Sequence, residues 1–214
     1  MTGTMNGSDF VSLIGAIHHA LGAAQSELNA LDSALGDGDH GEALAVALGD
    51  AVEKAHVLPT PTPSSVLQTA SQSLLNRMGG ASGALYGTLF LRMSIALKDH
   101  DVVSLPDWQA ALQAGLAGVT ARGKAAPGDK TMVDALAPAV AAFVAASDFA
   151  SGFAGAAAAA QAGAEQTVSM VAKFGRAKFA GERAIGHVDA GARSIAILFG
   201  AINTFWQERE HGAG

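Results

Sequence analysis

The chain has 214 residues and a net charge of −6. Half of its side chains are apolar, only 15% are charged and 6% aromatic, and its 13 basic residues are thinly scattered. That composition excludes a disordered chain and a surface that holds polyanions by general charge. Cysteine is absent, so disulfides, thiolate zinc sites and cysteine nucleophiles are excluded, and nothing requires an oxidising compartment.

Residues 1–20 show neither the basic start nor the apolar run of a signal peptide, and the longest apolar stretch, Ala135 to Ala146, is too short to span a bilayer. A cytoplasmic protein is expected. About a fifth of the residues are alanine and β-branched residues form no alternating runs, which favours helix almost everywhere. The fold class expected is all-α, one domain over residues 1–214. Phe10, Leu13, Ile14, Ile17, Leu21, Leu28 and Leu31 recur at helical spacing behind a Ser8 cap and predict a long amphipathic first helix. Punctuation by Gly, Pro and Asp then predicts helices over 41–56, 65–78, 82–98, 105–122, 131–147, 150–174 and 190–208. Pro138 is expected to kink the sixth of the eight. The Ala- and Gly-rich stretch from Phe149 to Ala164 suits close helix packing, with a flexible linker as the alternative.

The connections fall into two groups. Val57 to Ser64, Asp99 to Ser104 and Asp148 read as ordinary polar turns. The other four, Asp32 to Gly41, Met78 to Gly83, Gly123 to Thr131 and Gly175 to Gly191, are rich in glycine or charge. In an up-and-down arrangement with short loops these four alternate connections lie at the same end of the molecule. That end also presents helix N-termini, whose N–H groups and positive dipole ends suit phosphate.

Asp32, Asp37 and Asp39 crowd three carboxylates into one Gly-rich loop at the C-terminal end of a helix, where negative charge is already disfavoured. A bound Mg²⁺ reverses that cost, since magnesium takes carboxylate oxygens and keeps phosphates in its shell; a solvated Asp/Gly turn is the bland alternative. Gly36-x-Gly-x-x-Gly41 fits the dinucleotide fingerprint only as a string, because a helix precedes it. Gly118 to Lys124 resembles a Walker A loop but has Ala125 where a Ser or Thr belongs. Gly79 to Gly83 offers bare amides and a Ser82 cap to an anion, or else a tight helix turn. Thr131 caps the sixth helix in this reading, and Met132 faces either a planar ring or the core. Arg176, Lys178, Arg183, His187, Asp189 and Arg193 form the densest basic cluster and either neutralise phosphate or pair on the surface.

Taken together, Leu31 to Gly41, Gly79 to Gly87, Gly128 to Leu136 and Gly181 to Gly191 resemble the L subunit of dihydroxyacetone kinase. The resemblance implies an eight-helix antiparallel up-and-down barrel with ADP or ATP at one rim, bound through two Mg²⁺ ions on Asp32, Asp37 and Asp39. It implies a nucleotide lined by His40, Gly41, Glu42, Ala43, Ala81, Ser82, Gly123, Met132, Arg176, Asp189, Ala190 and Gly191, with Asp32, Asp37, Asp39 and Arg176 serving phosphoryl transfer. Leu44, Ala190 and Lys178-Phe179 depart from the residues usual in the family, and none is a proposed metal ligand. In the family a separate K subunit holds the triose covalently through a histidine, so this chain alone is expected to turn over no sugar. The nucleotide is either exchanged with ATP or rephosphorylated in place by the M subunit of a phosphotransferase system, and the sequence leaves both open. It also leaves open another small ketose as acceptor, a fatty-acid kinase domain, a non-catalytic regulatory module, and a homodimer.

Overall fold

The computed structural model describes residues 3–212. Among them are nine α-helices: α1 (Gly7–Ala23), α2 (Gln25–Leu35), α3 (His40–His56), α4 (Pro63–Arg77), α5 (Gly80–Ala96), α6 (Leu105–Gly123), α7 (Val133–Val144), α8 (Phe149–Gln166) and α9 (Ala190–Gly212). The expected first helix is therefore two, broken at Ala24, where ψ rises to 7°. From α3 to α9 each helix packs on the next, and α9 packs on α1, which itself packs on α3, so the ring closes. With α1 and α2 counted as one arm, this is the eight-helix up-and-down barrel.

Local chemistry explains most helix starts. α1 begins from Asn6, whose side chain accepts from the Asp9 amide while Asp9 accepts from the Asn6 amide. This reciprocal cap satisfies two orphan donors and displaces Ser8, which lies inside the helix. Thr62 with Ser65, and Ser104 with Asp107, repeat the device at α4 and α6, each with proline in the first turn.

Packing corrects one expectation, the end of α8, and decides between the two readings of the Ala- and Gly-rich stretch. α7 runs through Pro138 without interruption. Proline removes the amide that would have bonded the carbonyl of Asp134, and α8 comes closest to α7 at that same carbonyl. A Cβ built on Gly163 would lie 2.2 Å from the Asp134 oxygen. The Ala/Gly stretch is thus a packing helix and not a linker. Helix α8 also ends at Gln166, short of the expected 174, because Thr167 is buried and bonded outward. Its Oγ1 donates to the Ala164 carbonyl and accepts the Asp189 amide hydrogen. A 3₁₀ turn (Thr167–Ser169) and a longer 3₁₀ segment (Arg176–Ala184) follow.

The two ends of the barrel differ in chemistry. Phe10, Trp108, Phe143, Phe149, Phe153 and Trp206 come from the helix ends away from the four Gly- or charge-rich loops and stack on one another, as in Phe149 on Trp206 at 4.7 Å between centroids. A short antiparallel pair, β1 (Met5–Asn6) with β2 (Val102–Val103), lies at that end, and the Trp108 indole N–H donates to Met5 Sδ. Strands of two residues leave no alternation to read in the sequence.

The α7–α8 contact gives two identical substitutions opposite signs. Gly155→Ala meets only the Ala142 methyl at 3.8 Å, and should gain up to about 1 kcal/mol from helix propensity. Gly163→Ala must push the helices apart and should lose about 1–3 kcal/mol. Thermal unfolding of both variants checks this; a melting temperature that moves the same way in each removes the close approach.

Candidate functional site

All four Gly- or charge-rich connections line one cavity of about 790 Å³ at one rim. Asp32 comes from the last turn of α2, Asp37 and Asp39 from the loop into α3, His40 and Ala43 from the first turn of α3, Ala81 and Ser82 from the start of α5, Gly123 from the end of α6, Met132 from the loop into α7, Arg176 and Asp189 from the segment joining α8 to α9, and Ala190 and Gly191 from the start of α9. Every expected site residue lines it except Gly41 and Glu42. Those two amides point away and donate to Asn29 Oδ1 of α2, at 2.8 and 3.1 Å.

One oxygen from each of Asp32, Asp37 and Asp39 lies within 4.8 Å of the others. Asp32 is the fixed member: its Oδ2 accepts the amide hydrogens of Gly38 at 2.8 Å and Asp39 at 3.1 Å. Its Oδ1 sits where a Cβ on Gly36 would come to 2.4 Å, so only glycine leaves that oxygen room. Asp37 is held by the Arg176 guanidinium across the cavity mouth. One of the three carboxylates thus has a cation beside it, and three carboxylate oxygens this close to one another form a donor set that suits Mg²⁺.

The phosphate-binding potential of the helix ends is narrower than chain direction alone suggests. At α3 two amides are consumed by Asn29. At α7 the Val133 amide donates to Thr131 Oγ1, and Asp134 accepts from Gly128 and Thr131. At α9 Asp189 accepts from Ala192. Only α5 opens without any side-chain cap, on bare Gly79-Gly80, with Ser82 inside its first turn and not at the cap. This is the N-terminus best suited to an anion.

Behind the carboxylates runs a buried polar chain. His40 Nε2 lies 2.8 Å from Ser194 Oγ, which is 2.6 Å from the Tyr86 hydroxyl. Ser194 also contacts the carbonyls of Ala190 and Gly191. Burial pushes the His40 imidazole pKa down, opposed by the charges of Asp32 and Asp39. Tyr86 is raised, first by burial, so its proton stays on. The chain ties the start of α3 to the start of α9 and orients His40 at the cavity wall.

Of the basic cluster, Arg176 and Lys178 line the cavity, while Arg183, His187 and Arg193 do not. Arg193 bonds Glu27 and Gln161 instead, tying α9 to α2 and α8. Spacing gave no sign of Asn29, Ser194, Tyr86 or Lys130. Lys130 is 1% exposed, and its only sequence signal is its place in the Gly128 to Thr131 loop.

Asp189 lines the cavity half-buried, and loss of solvent around it is the main cause of a carboxyl raised to about 6, with the Ala192 amide and Lys130 opposing it. Between the ordinary value of 3.8 and about 6 the folded chain holds a proton that the unfolded chain has lost. Stability therefore falls as pH rises through that window and levels off above it. Urea unfolding of wild type and Asp189→Asn in chelator-treated buffer from pH 4 to 7 should show the wild type losing stability relative to the variant. A constant difference across the range contradicts the burial argument.

The profile of the DAK2 domain matches residues 34–204. The chain is 39% identical over 176 residues to the ADP-binding subunit of PEP-dependent dihydroxyacetone kinase 1 of Listeria innocua, covering 82% of this chain and 84% of that protein. It is 35% identical to the corresponding Escherichia coli subunit, covering 80% and 83%. Human triokinase/FMN cyclase is 39% identical over 83% of this chain, which spans 32% of that longer protein. Among solved structures, the dihydroxyacetone kinase of C. freundii in complex with AMP-PNP and Mg²⁺ superposes with a TM-score of 0.76 at 28% identity, covering 95% of this chain and 35% of that one. The match to the profile takes in Asp37 and Asp39 of the carboxylate loop and the other three rim connections, beginning just after Asp32, and the chain belongs to the DAK2 domain family.

Proposed function

We propose that this chain is the nucleotide-binding, phosphoryl-donating subunit of a dihydroxyacetone kinase, acting as one domain with ADP or ATP and Mg²⁺ at the rim of the barrel. The observation that carries the reading is the clustering of Asp32, Asp37 and Asp39 within 4.8 Å on the wall of a cavity of about 790 Å³. It is supported by relatives that are ADP-binding subunits of dihydroxyacetone kinases and by a structural neighbour in complex with AMP-PNP and Mg²⁺.

The chain's own residues perform three tasks in this reading. Asp32, Asp37 and Asp39 would hold two magnesium ions; bound there, magnesium neutralises phosphate charge and keeps the transferring group in line. The uncapped start of α5 donates amide hydrogens to phosphate oxygens. Arg176, released from Asp37 once that carboxylate is engaged, brings a forked cation to charge spreading on the moving group. Its pairing with Asp37 joins side chains 65% and 42% exposed, so it is weak and readily exchanged. Ala43, Gly123, Met132, Ala190 and Gly191 enclose the nucleoside with small or apolar surface, and His40 stands beside the carboxylates with its ring fixed by Ser194.

The acceptor, a small ketose, is in this reading held by a separate K subunit. Where the relatives are PEP-dependent, an M subunit would recharge bound ADP; a nucleotide-exchanging kinase would use ATP directly. No helix among the described residues is long and apolar enough to cross a membrane, and a cytoplasmic setting is our reading.

Calorimetric titration of ADP with and without Mg²⁺ tests the site. Affinity should fall at least about tenfold, roughly 1.4 kcal/mol, when Mg²⁺ is withheld or when Asp37 is replaced by Asn. Equal affinity in all three cases contradicts the metal assignment. For the activity, the purified chain should phosphorylate no dihydroxyacetone alone and should do so when mixed with a K subunit and either ATP or a phosphoenolpyruvate-driven donor. Failure under both regimes, with nucleotide binding intact, makes the chain a regulatory module.

A further inference from the structure

Lys130 combines two costs in one residue. It is 1% exposed, and lysine is almost never fully buried unless paired. Its backbone φ is +59°, a region that a residue with a Cβ occupies only where its surroundings impose it. The surroundings are explicit. Asp134 accepts the amide hydrogens of Gly128 at 2.5 Å and Thr131 at 2.7 Å. Asp129 accepts from the Ala126 amide and pairs with Lys173, whose own amide donates to the Asp129 carbonyl. The loop between α6 and α7 is thereby locked, and it aims the Lys130 side chain inward.

What the ammonium meets there is the segment joining α8 to α9, at both of its ends. Nζ donates to the carbonyl of Thr167, the first residue after α8, and to that of His187, just before α9, each at 2.5 Å. The carboxylates of Asp189 and Asp134 favour its charge against the burial that pushes its pKa down. Two of its three ammonium hydrogens go to these carbonyls and the side chain is 1% exposed, so Lys130 is built into the cavity wall. It acts on what lies beside it. Met132 is two residues along the same loop, and a Cβ on Gly191 would lie 3.4 Å from that of Met132. Asp189, whose amide bonds Thr167 Oγ1, leads directly into Ala190 and Gly191. Met132, Ala190 and Gly191 line the cavity with small or apolar surface, whereas the carboxylates come from a different loop.

We propose that Lys130 is a positioning residue for the nucleoside end of the bound nucleotide: by pinning both ends of the α8–α9 segment to the α6–α7 loop, it holds together the wall in which Met132 packs on Gly191 beside Ala190 and on which the base rests, without touching the phosphates. This rests on the nucleotide reading above and adds to it a separate control over half of the ligand.

The test separates the two halves with two ligands. Wild type and Lys130→Met are titrated calorimetrically with Mg-ADP and with Mg-pyrophosphate, which has no nucleoside, after circular dichroism and thermal melting have established folding. The expected result is an Mg-ADP affinity weaker by about tenfold or more with Mg-pyrophosphate affinity unchanged. In the reconstituted kinase the same variant should raise KM for ATP and leave kcat near wild type. Equal losses for both ligands make Lys130 a general structural residue, and no loss for either leaves it without a role at the site; both overturn the proposal. If wild type itself fails to bind Mg-ADP, the nucleotide reading falls first, an outcome distinct from a variant that matches a binding wild type. Should Lys130→Met not fold, Lys130→Gly takes its place. Glycine accepts the positive φ at no steric cost while removing the ammonium, and the same split between ligands is expected.

Discussion

Three carboxylates gathered within 4.8 Å repel one another, and a chain that keeps them there gains from a held backbone and from a positive group beside them. Here the backbone is held by Asp32 itself, which folds back on the amides of Gly38 and Asp39, and the positive group is the Arg176 guanidinium. That arginine arrives on the segment between α8 and α9, far along the chain. The carboxylate loop and the last third of the sequence therefore meet at the cavity, where an exposed and exchangeable ion pair joins them.

The barrel makes such a rim possible by separating its tasks. Large rings pack at the end where no chemistry is required, and they contribute rigid apolar burial that small residues cannot. The other end is built from glycine, alanine and short polar side chains, which leave room for a cavity and let backbone groups reach it. Polar groups buried near this rim are satisfied locally. Asn29 caps two amides of α3, Asp134 holds the Gly128 to Thr131 turn, and Ser194 joins His40 to Tyr86. The first two fasten neighbouring stretches of chain and the third joins elements distant in sequence, so the walls of the cavity are held even where they are loops.

Rigidity and mobility are unevenly divided along the α8–α9 segment. Its two ends are fastened at Thr167 and His187 by the buried ammonium of Lys130, and Lys173 adds a further tie to Asp129. Between them, Arg176 to Ala184 is a 3₁₀ segment interrupted at Gly181, with Phe179 left 78% exposed. A segment clamped at its ends and loosely packed in its middle can carry an arginine between partners without disturbing the base-facing wall.

Much of this was legible in the residues alone. The helical spacing of apolar positions and the alternation of bland and Gly- or charge-rich connections placed four loops at one end, because short links between antiparallel helices allow no other arrangement. Asp32, Asp37 and Asp39 are near neighbours in the chain, so their meeting is a local event, and local events are written in sequence. What only the tertiary structure decided involves partners brought from afar. Asn29 turns Gly41 and Glu42 away from the cavity, Thr167 stops α8 early, the α7–α8 contact settles at the carbonyl freed by Pro138, and Lys130 disappears from the surface into a nest of carbonyls. A lysine reads as a solvated charge until the groups that will surround it are known, and those groups are set by how distant helices pack, not by anything in the residues beside it.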